Sequence, residues 1–209
     1  MEHVVRRKTT LFCFVLLLVW ALSAPSIGVA NPGPKDAIQA LNAALLDVMK
    51  RADELGYAGR YKLLEPVIKN TFAFSFMGTQ SIGRYWKSLN ETQRGLFLST
   101  YTDWSIATYA GRFDGYSGER FELVSESAPV QGTVTVISKL IQSNDEPIIF
   151  SYLMRNVENR WRIVDIQISG VSQLAMTRAQ FTEVMKSKGF EGLISMLKEK
   201  IAGFARPKK

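Results

Sequence analysis

The chain has 209 residues, 46% of them hydrophobic, and a formal net charge of +7, enough for one domain with a substantial core. Its only cysteine and only histidine, Cys13 and His3, both fall within the first thirty residues. The rest of the chain is therefore closed to disulfides, cysteine nucleophiles, histidine bases, the Ser-His-Asp arrangement, and zinc or copper sites built on thiolate or imidazole.

The N-terminus reads as an export signal. Arg6, Arg7 and Lys8 form a basic start, and "LFCFVLLLVWAL" (11–22) is apolar but too short for a membrane span. "GVA" before Asn31 supplies the small residues that signal peptidase reads, so cleavage is expected after Ala30; a cut after Ala24 and an uncleaved anchor are the alternatives. Phe12 is too bulky before Cys13 for a lipidation signal. Losing Arg6, Arg7, Lys8 and Glu2 would lower the charge from +7 to +5 and leave 179 residues, 31–209, as a single domain. Its basic residues are scattered and carry no RNA-binding signature, so nucleic acid is not an expected partner. A mild basic excess suits an anionic lipid surface or an acidic protein.

After the linker "NPGPK", Ile38, Leu41, Leu45, Val48, Met49 and Ala52 recur at the spacing of an amphipathic helix beginning near Asp36. A second helix is expected over 59–72, interrupted near Pro66. Residues 72–86, dense in aromatics and Met, read as a turn and a short helix. Asn90 with Gln93 three residues on has capping-box spacing, and the helix it opens carries Phe97, Tyr101, Trp104 and Thr108 along one face to about Gly111. "Asn-Glu-Thr" has the form of a glycosylation sequon, but the cap explains it.

Four strand-like runs follow, 119–127, 132–142, 147–156 and 160–169, separated by hairpin-length turns, which predicts an antiparallel meander. Ile148, Phe150, Tyr152 and Met154 line one face of the third run, with Ile149 and Leu153 on the other. In the fourth, Val164, Ile166 and Ile168 oppose Trp161 and Ile163, whose face turns polar at Asp165 and Gln167. With both faces partly apolar, either helices cover each side or one face walls an internal cavity. Two helices, about 172–187 and 190–202, close the chain on either side of Gly189.

Motifs for catalysis are weak. "GTQSIGR" (78–84) has phosphate-loop glycines but Arg84 where Lys then Ser/Thr are needed, and no serine has the flanking glycines of a nucleophile elbow. Asp53–Glu54 and Asp145–Glu146 sit at turns or helix ends, where solvated charges are expected. No enzyme, metal or cofactor is therefore expected. Phe72, Phe74, Phe76, Met77, Tyr85, Trp86, Phe97, Tyr101, Trp104, Tyr109 and Phe113 cluster instead, either as an aromatic core or as the wall of an adaptable greasy cavity. At "ISGVSQLAMTRAQF", Ser172 is a good N-cap beside free backbone N–H groups that favour an anion, and Arg178 follows two turns in; the plainer reading is a capped helix with a structural Arg, paired with Asp165.

"IGRYWKSLNETQRGLF", "YAGRFDGY", "RWRIVDIQISGVSQLAMTRAQF" and "KGFEGLISMLKEK" together resemble the MlaC, or toluene-tolerance auxiliary, family of periplasmic lipid-binding proteins. The matching positions are Gly83, Trp86, Gln93, Arg94, Phe97, Tyr109, Tyr116, Trp161, Asp165, Gly170, Ser172, Arg178, Phe181 and Gly189, in order along most of the chain. Ser169, Gln173 and Met176 depart from the pattern of the phospholipid carriers, and "SQLAMTRAQF" is closer to the hopanoid-associated HpnM branch.

The resemblance implies an α+β fold, a four-stranded antiparallel sheet wrapped by about six or seven helices around an apolar lipid cavity. It implies a soluble periplasmic carrier of a membrane lipid, phospholipid or hopanoid-type, between an inner-membrane ABC transporter complex and an outer-membrane lipoprotein complex, and so a part in outer-membrane lipid asymmetry. Joined to the residue reading, it assigns the tails to Phe76, Met77, Trp86, Phe97, Tyr101, Trp104, Tyr109, Phe150, Tyr152 and Met154, and the headgroup or a structural junction to Ser172 and Arg178. A ligand-free structural adaptor of an envelope complex is the alternative; a small-molecule enzyme is a third reading and would need a carboxylate or Tyr facing the cavity.

Overall fold

The computed structural model describes residues 31–142 and 146–206; the expected export signal lies outside them. The order is α1 (Pro34–Lys50), α2 (Ala52–Thr71), α3 (Phe74–Ile82), a 3-10 turn (Gly83–Ser88), α4 (Glu91–Arg112), β1 (Arg120–Glu126), β2 (Thr133–Ile141), β3 (Ile148–Val157), β4 (Arg160–Ile168), β5 (Val171–Ser172) and α5 (Gln173–Ala205). The fold is α+β, and the four expected strands form the predicted antiparallel meander. A fifth, two-residue strand, β5, was not among the expected elements; it folds back on β4, with Gln167 opposite Ser172.

Local chemistry explains most of the helix ends. At α4 the capping box forms: the Asn90 side chain accepts from the Gln93 N–H at 2.9 Å, while the Asn90 N–H donates to Gln93 Oε1 at 3.1 Å. α2 departs from expectation. It runs through Pro66, which lies on the exposed side of the helix, as does Lys62, the residue whose carbonyl Pro66 leaves without a helical partner. The break falls instead at Gly56, with φ 56°. The two expected C-terminal helices are one segment, α5, broken at Gly189, where φ is 66° and ψ −168°, a conformation that only glycine adopts cheaply. Among the described residues, five α-helical segments, two of them divided at a glycine, thus stand where six or seven helices were expected.

The sheet buries one face. Val134, Val136, Ser138 and Leu140 on β2, Tyr152 and Met154 on β3, and Ile163 and Ile166 on β4 are all buried. A bulge in β4 pairs Met154 with Ile163 and Leu153 with Asp165, skipping Val164, so Ile163 and Ile166 share a face that strict alternation would deny them. The opposite face leaves Ile149 exposed; it is not covered as the two-sided reading required.

α1 packs on β1, β2 and β4, α2 and α5 pack on β4, and α4 contacts both α2 and α5. Leu41, Leu45, Leu64, Ile68, Phe97, Ile106, Val136, Phe181, Leu193 and Leu197 belong to one continuous core. Arg60 is buried between helices, its guanidinium donating to the Ala110 carbonyl at 2.9 Å and the Ala52 carbonyl at 3.0 Å. Those bonds satisfy the charge-bearing group and tie the end of α4 to α2. Among the described residues no helix is long and apolar enough to cross a membrane.

Candidate functional site

Between α4, the inner face of the sheet and α5 lies a cavity of about 1090 Å³. α4 contributes Tyr101, Trp104, Ser105, Thr108, Tyr109 and Arg112, the i, i+3, i+4 face that its sequence spacing set out. The sheet contributes Leu140, Ile148, Phe150, Tyr152, Ile166 and Ile168, and α5 adds Gln173, Leu174, Met176, Thr177, Gln180 and Lys200. Residues 113–117 and Glu119 line it from the connection between α4 and β1.

Much of the wall is aromatic and interlocked. Phe72 meets Tyr109 edge-on at 5.6 Å, and Tyr109 stacks on Phe113 at 5.8 Å. Phe74 meets Tyr101 at 6.1 Å, Tyr101 leans on Trp104 at 5.8 Å, and Phe150 stacks on Tyr152 at 6.0 Å. Burial pushes the phenols of Tyr101, Tyr109 and Tyr152 well above their ordinary range, so all three stay neutral at any physiological pH. The result is an uncharged aromatic stretch of wall, with the charged side chains of the lining, Arg112, Asp114, Glu119 and Lys200, set apart from it in sequence at the end of α4, the α4–β1 connection and α5.

Six of the ten residues assigned to the tails line this cavity: Met77, Tyr101, Trp104, Tyr109, Phe150 and Tyr152. Four do not. Phe76 lies under the Arg155 guanidinium at 5.6 Å, and Trp86 sits on the 3-10 turn under Arg94 at 5.3 Å. Phe97 is fully buried behind the wall, stacked on Tyr101 at 5.8 Å, and Met154 is fully buried core. Periodicity gave these four the right face or cluster but could not say which side of the wall they occupy. Phe72, Phe113, Ile148, Ile166 and Ile168 also line the cavity; the sequence marked them as aromatic excess or sheet face without assigning them to it. Arg112 continues the α4 face one turn past Thr108. Lys200 carried no signal, because it reaches the cavity only through the packing of α5.

Neither Ser172 nor Arg178 lines the cavity. The Ser172 hydroxyl accepts from the Ala175 N–H at 3.0 Å and donates to Asp165 Oδ2 at 2.7 Å. Asp165 Oδ1 takes the Leu174 N–H at 3.1 Å and the Ile166 N–H at 2.8 Å. The helix N-terminus that could have drawn an anion therefore already holds one, the Asp165 carboxylate. Arg178 is not its ion-pair partner; the Arg178 guanidinium rests against Gly83, where an added Cβ would lie 2.9 Å from it. Replacing Asp165 with alanine is expected to cost about 2–3 kcal/mol, since it orphans a partly buried network around a charged acceptor. At roughly 2–4 °C per kcal/mol for a domain of this size, thermal unfolding should move down by on the order of 10 °C, and less for Asp165→Asn.

The family model described as MlaC protein matches residues 39–199. The chain is similar to the intermembrane phospholipid transport system binding protein MlaC of Haemophilus influenzae, 23% identical over 197 residues that cover 90% of this chain and 91% of that protein. In fold it is similar to the phospholipid-binding protein from Ralstonia solanacearum, solved in complex with a phospholipid, with a TM-score of 0.72 and 22% identity over 84% of this chain and 100% of that one. A match spanning most of the domain, on a helix-and-sheet frame with an aromatic internal cavity, places the protein in the MlaC family.

Proposed function

We propose that the protein is a periplasmic lipid carrier, which holds the apolar part of a membrane phospholipid in the cavity and moves it between inner-membrane and outer-membrane components. The observation that carries this reading is the cavity of about 1090 Å³, whose lining joins aromatic, aliphatic and Met side chains to polar and charged ones such as Arg112, Gln180 and Lys200. It lies at or above the top of the range for small-molecule sites, roughly 300–1,000 Å³. A solid-cored adaptor would have no use for such a space. The H. influenzae relative is by name a phospholipid transport binding protein, and the R. solanacearum structure holds a phospholipid. The export signal expected over residues 1–30, cleaved after Ala30, would deliver the single domain to the periplasm, where an ABC transporter complex and an outer-membrane lipoprotein complex are its proposed partners.

Energetics set the working range. At about 0.8 kcal/mol per methylene, two chains of roughly fifteen carbons represent on the order of 25 kcal/mol of burial. The carrier must come close to matching the bilayer, or no lipid enters, without far exceeding it, or none leaves. Binding and release need no chemical step.

Three of the departures from the phospholipid-carrier pattern can now be placed: Gln173 and Met176 line the cavity, whereas Ser169 does not. A hopanoid-type ligand remains the alternative lipid class for that reason. Native mass spectrometry and organic extraction of the protein purified from a periplasmic fraction should find one stoichiometric lipid and identify its class. Folded protein that carries no lipid, and takes none up from vesicles, would refute the carrier reading.

A further inference from the structure

A second, smaller pocket of about 310 Å³ opens beside the main cavity, lined by Trp104, Thr108, Arg112, Lys200, Gly203 and Phe204. Trp104, Thr108, Arg112 and Lys200 line both spaces, so the two adjoin along these residues. Gly111 shapes this corner: an added Cβ would run into the Phe204 ring, so glycine is what lets that ring close on α4.

Two cations and, among the described residues, no acid line the side pocket. Among the described residues, neither Arg112 nor Lys200 takes part in a salt bridge. Asp114 and Glu119 line the main cavity but not the side pocket, and Glu119 is engaged by the Ser117 N–H. Arg112 sits in the last turn of α4, where a cation is favoured by the helix dipole whatever its other role. Lys200 lies outside the last turn of α5, and that effect does not place it. Resting on the lipid-carrier reading, we infer that the side pocket seats the phosphate group of the lipid headgroup, held by Arg112 and Lys200.

The chemistry fits in three respects. A guanidinium presents a planar fork of donors that matches phosphate oxygens, and an ammonium adds a mobile point charge. Both side chains project from helices, which fixes their bases. The side pocket adjoins the apolar cavity through Trp104 and Thr108, so a phosphate there leaves the acyl chains beside the aromatic wall. A neutral lipid would bring an uncharged end against two cations and gain nothing from them.

The test offers the lipid-free protein phosphatidylglycerol and diacylglycerol with the same acyl chains, in equal amounts in detergent micelles, and reads the bound ratio by native mass spectrometry. Wild type should favour phosphatidylglycerol by at least about tenfold, and R112A/K200A should reduce that ratio to within about twofold. R112K/K200R should keep the preference, since both charges remain. K200Q alone should lower the ratio by about threefold or more, and keeps the test decisive even where the double variant fails to fold. An unchanged ratio in K200Q or in R112A/K200A overturns the assignment and leaves the carrier reading intact. Wild-type protein that loads neither lipid overturns the carrier reading itself. Saturable binding of inorganic phosphate to the lipid-free protein at constant ionic strength would give the pair to a free anion instead, and would also overturn the headgroup assignment.

Discussion

Trp104→Glu is expected to abolish lipid loading in a protein that still folds. Trp104 is only half-buried and lines both the main cavity and its side pocket. In the empty protein a carboxylate there can turn toward the open space and stay hydrated. The folded state then loses chiefly the ring contacts to Tyr101 at 5.8 Å and Phe181 at 5.6 Å, about 1–2 kcal/mol. In the loaded protein the same carboxylate would lie under acyl chains, and desolvating it costs several kcal/mol. With every 1.4 kcal/mol worth tenfold, loading should fall by on the order of a hundredfold or more. Native mass spectrometry reads the occupancy and circular dichroism melting reads the fold. Loading at the wild-type level would mean that the lipid lies elsewhere. Tyr152→Glu is a poor substitute: Tyr152 lines the cavity but is only 2% exposed, and a charge there should unfold the domain.

The contrast between Trp104 and Tyr152 marks where sequence reading ends. Both were legible as large apolar residues on the correct face of their elements, because the helical and strand periods fix which side chains point together. Whether a residue borders empty space or is packed on every side depends on what arrives from across the fold. Phe97 and Tyr101 lie on one face of α4, one turn apart, yet only Tyr101 lines the cavity, while Phe97 is packed on every side. The Asp165 network was hidden for a similar reason. Ser172 was readable as a cap from its position, but the carboxylate that completes it arrives from β4, paired to β5 only after a tight turn.

Fold legibility followed the same division. The capping box of α4, the burial stripe of α1 and the meander of four strands are encoded by neighbours in sequence, and all appear. Two features were misplaced because a local rule met a tertiary exception. Proline breaks helices by removing a hydrogen bond, but Pro66 and Lys62, whose carbonyl it frees, lie on the exposed side, and α2 runs through it. Strict alternation put Ile163 and Ile166 on opposite faces of β4, and the bulge at Val164 resets the phase. Because Ile163 and Val164 are adjacent and both apolar, either can supply the buried side chain, so the insertion leaves no mark in the sequence.

Phe181→Ala should destabilise the domain more than Asp165→Ala does. Phe181 is fully buried, and three aromatic rings converge on it: Phe97 edge-on at 6.3 Å, Tyr101 edge-on at 6.2 Å and Trp104 tilted at 5.6 Å. Truncation removes about 3–5 kcal/mol through lost burial and the void left behind, a large share of a typical total of 5–15 kcal/mol. Unfolding should shift down by on the order of 10 °C, with Phe181→Leu recovering part of the loss. The variant should also loosen the wall, since Phe181 is the surface against which Tyr101 and Trp104 are set. Lipid occupancy should therefore fall, though less than in Trp104→Glu, because no charge enters the cavity. A melting point within about 2 °C of wild type would show that the rings repack without Phe181. Normal stability with normal loading would remove its role as the support of the cavity wall.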